Sequence, residues 1–184
     1  MNPDTGSPKR FITAGAQRCA DRLSRICRAP WTVERTASGP AAQERFEPLF
    51  ADITEDHFGT YISLPDTGVM VMFDRRSGLQ VSHRFSGDFT DQIEALDEPQ
   101  PAVLGEVASM LANSLAEGLA PSGGPALLVS APQSLIENPR GLLQAAWDRL
   151  QSPERPGLPG YIRLACPGLR AETTLIVFLP PDFS

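Results

Sequence analysis

Between Ala102 and Leu119 the apolar residues return every three or four positions. Leu104, Val107, Leu111 and Leu115 form a stripe that Met110 and Leu119 widen, which predicts an amphipathic helix. Glu106, Ser109, Asn113 and Glu117 fall on another face at similar steps. One side of this helix therefore enters a core while another presents a row of polar groups. Pro99 and Pro101, with Asp97 and Glu98 just upstream, suit a helix start; Pro121 and Gly123-Gly124 suit its end.

The same periodicity appears earlier. Ile12, Ala16, Cys19, Leu23 and Ile26 predict a first helix over Phe11–Arg28, stopped by Pro30. Arg18, Arg22, Arg25 and Arg28 take its wetter side. That Arg stripe suits either an acidic partner or a plain solvated face. Trp31–Thr36 reads as a strand, Ala37–Pro40 as a loop and Ala41–Phe50 as a short helix. Thr60–Leu64 and Val69–Phe73 flank Pro65-Asp66-Thr67-Gly68 and predict a hairpin. Arg75-Arg76-Ser77-Gly78 reads as a second turn, into a strand over Leu79–Phe85, so that three strands form an antiparallel meander. Ser86–Gln100 is an acidic linker.

After the main helix, the apolar run Ala126–Ser130 reads as a buried strand. Asn138-Pro139 is a capped helix start, and Leu142, Leu143, Ala146, Trp147 and Leu150 give the helix that follows an apolar side. Ser152–Gly160 is a Pro/Gly loop. Tyr161–Cys166 and Thr173–Leu179 predict a last strand pair joined across Pro167-Gly168. The chain thus divides into two halves, each with a long helix and a strand pair. The expected class is α/β in the broad sense and α+β in detail, with two long helices on a largely antiparallel sheet.

Composition narrows the picture. A chain of 184 residues with 41% hydrophobic and 21% charged residues fits one globular domain, expected over 11–184 behind a flexible tail over 1–10. The net charge of −6 argues against a nucleic-acid partner. Three cysteines without framework spacing point to a reducing compartment. No apolar run reaches transmembrane length, and the first ten residues lack the apolar centre of a signal peptide. A cytoplasmic protein with no membrane partner is expected.

Most catalytic constellations are missing. His57 and His83 have no partners at ligand spacing, so no metal is expected. No G-x-S-x-G elbow occurs. Ser122-Gly123-Gly124 lacks the Lys and Thr of a phosphate-binding loop. What remains is the polar face of the main helix.

That helix resembles the second long helix of the CheC/CheX chemotaxis phosphatases, relatives of FliY and of the flagellar switch protein FliM. Their helical pattern runs Asp or Ser, three residues, Glu, two residues, Asn, then about two dozen residues to Pro. Here Glu106 takes the Glu position and Pro132 the Pro position; Ser109 stands for the Asn and Ala102 for the Asp or Ser. Leu23–Pro30 is similar to the end of the first helix in FliM-like proteins. The resemblance implies a CheC-like fold with pseudo-twofold halves and a receiver domain of a CheY-type response regulator as partner. It admits a homodimer.

The resemblance also implies a division of labour. The regulator owns the Mg²⁺, the acceptor Asp and a Lys, so this chain needs no cofactor. The phosphatase Glu pairs with that Lys, and the Asn amide orients a water in line with the aspartyl phosphate. The candidate site residues are therefore Glu106 and Ser109. Because a hydroxyl replaces the amide, phosphatase activity is expected to be weakened or lost. The first helix offers no Glu-x-x-Asn: Thr13, Ala14, Gly15, Ala16 and Gln17 stand there. The alternative reading is a non-enzymatic scaffold module of the FliM/FliN-like type.

Overall fold

The computed structural model of the chain describes residues 7–39, 47–64, 67–88, 99–117, 130–150 and 157–180. Helix α1 spans Pro8–Cys27 and strand β1 Thr32–Ser38, followed by a 3₁₀ turn at Glu47–Phe50. Strands β2 (His57–Leu64) and β3 (Thr67–Asp74) lead into α2 (Arg75–Phe85) and α3 (Pro101–Ala116). Strand β4 (Gln133–Glu137), α4 (Pro139–Leu150), β5 (Leu158–Cys166), a 3₁₀ turn at Pro167–Leu169 and β6 (Ala171–Leu179) complete the order. The fold is α+β. The six strands form one sheet in the order β1-β5-β6-β3-β2-β4, antiparallel at every pairing.

That order is its own mirror under one exchange. Swapping β1 with β4, β2 with β5 and β3 with β6 turns the list into its reverse. The same exchange relates α1 to α3, since α1 precedes β1 as α3 precedes β4. The two halves are intertwined, because each contributes an edge strand to the other's hairpin: β1 pairs with β5, and β4 with β2. The expected pseudo-twofold plan is present, and it closes a single sheet.

Period-two alternation assigns each strand's side chains to opposite faces. Ile62, Val69, Val71, Phe73, Ile162, Leu164, Leu175 and Val177 point to the face covered by α1, α2 and α3. Tyr61, Met70, Met72, Tyr161, Ile176 and Phe178 point to the other, where α4 and the first 3₁₀ turn supply Leu142, Leu143, Ala146 and Phe50. Two glycines let helices approach the sheet closely. A Cβ on Gly59 would stand 2.6 Å from Leu142 Cδ2 of α4, and one on Gly160 would stand 2.5 Å from Ile12 Cδ1 of α1.

The long helices, the Asn138 cap and the two hairpins follow the sequence expectation. Asn138 Oδ1 accepts from the Gly141 amide at 2.9 Å. Two expectations are corrected. Leu79–Phe85 is not a strand but most of α2, and the third neighbour in the supposed meander is β6. The residues taken for a turn are a helix cap: Asp74 Oδ1 accepts from the Ser77 amide at 2.6 Å. Ser77 Oγ in turn accepts from the Glu172 amide at 2.9 Å, which ties α2 to β6. Of the short helix expected over Ala41–Phe50, only Glu47–Phe50 is described, as a 3₁₀ turn. The strand expected at Ala126–Ser130 lies outside the described residues apart from Ser130, and β4 follows it. Pro65-Asp66 and most of the acidic linker also lie outside.

All three cysteines are buried and unpaired. Burial pushes the Cys19 thiol up to about 12 and that of Cys27 to about 11. Both therefore stay protonated near neutrality, and the thiolate is the reactive form. A thiol reagent at about pH 8 should leave Cys19, Cys27 and Cys166 unmodified in the folded chain and label all three in denaturant. Fast labelling of the folded chain would contradict this packing.

Candidate functional site

Helix α3 starts with Pro101, whose missing amide hydrogen costs nothing in the first turn. Leu104, Val107, Ala108, Leu111, Ala112 and Leu115 are all at most 1% exposed and face the sheet and α1. The opposite side carries Ala102, Glu106, Asn113 and Glu117, all exposed, with Ser109 half-buried among them. Residues three and four apart on a helix stand about 5–6 Å apart at Cβ, so these side chains form one row.

Pro132, the residue before β4, lies against Gly105 of α3. A Cβ on Gly105 would stand 3.5 Å from Pro132 Cβ and Cγ, and 3.9 Å from Ser134 Oγ. Pro132 thus packs on Gly105, the residue before Glu106 and the one whose carbonyl Ser109 is bonded to. Ile136 of β4, 56% exposed, is on the same face of its strand as Ser134.

The chemistry of the row is uneven. Glu106 is exposed, and its carboxylate accepts no hydrogen bond from the described residues. Ser109 Oγ donates to the Gly105 carbonyl of its own helix at 3.0 Å. Its one proton is thereby used, which leaves the hydroxyl only acceptor capacity. Asn113, one turn further, keeps an exposed amide. Glu117 stands 4.0 Å from the Arg22 guanidinium of α1. Ala102 offers no polar group where the pattern has Asp or Ser. The row can hold a cation on a partner surface through Glu106, but Ser109 is poorly equipped to grip a phosphoryl oxygen and a water at once.

The matching stretch of α1, Thr13–Gln17, has no Glu-x-x-Asn to repeat this arrangement. What sequence reasoning missed is the setting of the row. Periodicity gives a helix face, but the packing of Pro132 on Gly105 comes from the chain's return through β4. Among the described residues no group of three or more His, Cys, Asp and Glu side chains could hold a metal. No helix among them is long and apolar enough to cross a membrane.

No protein-family model matches the sequence, and no curated protein matches it. Solved structures do match. FliY from Thermotoga maritima superposes with a TM-score of 0.61 at 15% identity, covering 100% of this chain and 93% of that one. Chemotaxis protein CheX from Vibrio vulnificus gives a TM-score of 0.58 at 11% identity, over 92% and 98% of the two chains. The FliM middle domain from H. pylori gives 0.58 at 9% identity, over 100% and 95%. This α+β architecture is therefore the fold shared by CheC-like, CheX, FliY and FliM middle-domain proteins.

Leu111→Ala should cost about 2–5 kcal/mol in urea unfolding, because it opens a cavity under α3. Glu106→Ala should change stability by less than about 0.5 kcal/mol. Equal losses would contradict the division of α3 into a core side and a free side.

Proposed function

We propose that this chain is a chemotaxis-type signalling protein that binds the receiver domain of a phosphorylated response regulator through the exposed row of α3. Hydrolysis of the aspartyl phosphate is weak or absent. The observation that carries this reading is the contrast within the row. Glu106 is exposed and follows the Gly105 on which Pro132 packs, while the Ser109 hydroxyl is bonded back to Gly105 at 3.0 Å. The docking half of the family pattern is kept and the water-orienting half is altered.

In this reading the regulator supplies the Mg²⁺, the acceptor Asp and the Lys that Glu106 pairs with. The protein's contribution is position. A carboxamide places a donor and an acceptor on separate atoms, so it can hold phosphoryl oxygen and attacking water together. Ser109 has one oxygen for both tasks and spends its proton on its own helix. The fold's likeness to the FliM middle domain supports a second reading, a scaffold module that binds without catalysis, and the occupied hydroxyl agrees with it.

The test is phosphate release from a Mg²⁺-loaded, phosphorylated receiver domain of the same organism. Ser109→Asn should raise the rate by about tenfold or more. Asn on a helix surface costs only tenths of a kcal/mol in propensity, so the fold should tolerate it. Adding Glu106→Ala should remove the gain. A receiver that binds but is hydrolysed no faster by Ser109→Asn contradicts the altered-site reading. Absence of receiver binding transfers the assignment to the scaffold module.

A further inference from the structure

The sheet face opposite α1 and α3 carries α4 and the first 3₁₀ turn. Between these two elements lies a cavity of about 410 Å³. That volume falls in the usual range of small-molecule sites, about 300–1,000 Å³. Helix α4 turns one face to it, since Arg140, Leu143, Gln144 and Trp147 stand at i, i+3, i+4 and i+7 and all line it. The 3₁₀ turn contributes Pro48 and Phe50 to the lining.

Two aromatic rings of the lining are held from the core side. Phe50 meets Tyr161 edge-on, with centroids 6.4 Å apart, and half-buried Trp147 meets Phe178 edge-on at 5.0 Å. Their orientation is thus set before any ligand arrives. The polar groups around them are largely engaged. Gln144 Nε2 donates to Asp148 Oδ1 at 2.8 Å. Glu137 Oε1 accepts from Asn138 Nδ2 at 3.0 Å, and Glu47, which lines the cavity, has a partner of its own. Arg140 is exposed, and its guanidinium makes no hydrogen bond or ion pair with another of the described residues. It is the cation that an incoming group meets.

We propose that this cavity is a small-molecule site and that its ligand is an aromatic carboxylate. The ring packs against Phe50, Leu143 and Trp147, and the carboxylate takes the forked N–H donors of Arg140. Charge complementarity selects this class. A neutral aromatic leaves the guanidinium unused, and a polyanion brings more charge than one arginine beside Glu47 can match. The positive end of α4 adds to the field at Arg140, the second residue of that helix. The site is on the sheet face opposite α3 and does not depend on receiver binding there.

The test uses the full chain, labelled with nitrogen-15, and 3-phenylpropionate as probe. The chain has two tryptophans: Trp31 is buried in the core cluster of α1, and Trp147 lines the cavity. Their indole N–H signals report on the two sites separately, and Trp147→Phe identifies which is which. Saturable movement of the Trp147 signal is expected by about 10 mM probe, since a fragment of this size binds with about millimolar strength. The Trp31 signal should stay in place. Arg140→Gln, at an exposed position, should leave the spectrum folded and weaken the probe about tenfold. The neutral 3-phenylpropanamide should bind about tenfold more weakly than the acid to the unaltered chain and should not distinguish Arg140→Gln from it. Arg25→Gln, on α1, should leave probe binding unchanged. No saturable movement, or equal movement at Trp31, overturns the site. Equal binding of acid and amide, or no loss with Arg140→Gln, overturns the carboxylate assignment.

Discussion

The crossing of α1 on α3 is the contact on which the rest of the molecule depends. Helix α3 ends at Ala116, so the carbonyls of its last turn lie at the negative end of the helix. Arg18 meets one of them, donating to the Ser114 carbonyl at 2.7 Å and placing a cation at the negative end of the helix. Gly15 has no Cβ, and Leu115 occupies the room this leaves. Both helices then bury their apolar stripes on one face of the sheet. Their polar sides are left facing outward, one acidic and one basic.

This arrangement explains how one architecture carries two unlike surfaces. The sheet order is unchanged when the halves are exchanged, so the backbone presents two equivalent helix faces. The side chains break that equivalence. Glu106 has no carboxylate counterpart in Thr13–Gln17 of α1, and the hydroxyls of Ser109 and Thr13 both bond back to their own helices. A hydroxyl used in that way cannot also orient a water by donating to it.

Much of this is legible in the sequence where a local pattern and a tertiary role agree. The α1 and α3 stripes, the Asn138-Pro139 cap and the β2–β3 and β5–β6 hairpins are of that kind. Helix α2 is not. Leu79, Val81, His83 and Phe85 alternate as a strand would, and the deciding signal is the Asp74–Ser77 cap upstream. Ser77, Gln80 and Ser82 are buried in spite of their polarity, because α2 is enclosed by α1, α3 and β6. Strand β4 escapes notice for the opposite reason: as an edge strand it is exposed at every position except half-buried Leu135, so it carries no alternation. The Glu106–Ser109 row can be read directly from helical spacing.

The central claim is that α3 is the surface a receiver domain occupies. Hydrogen–deuterium exchange of the chain, with and without a beryllofluoride-activated receiver domain of the same organism, tests it most directly. The account predicts slowed exchange confined to α3 and to the residues around Pro132. Slowed exchange on α4 and the first 3₁₀ turn, with α3 unchanged, would contradict it.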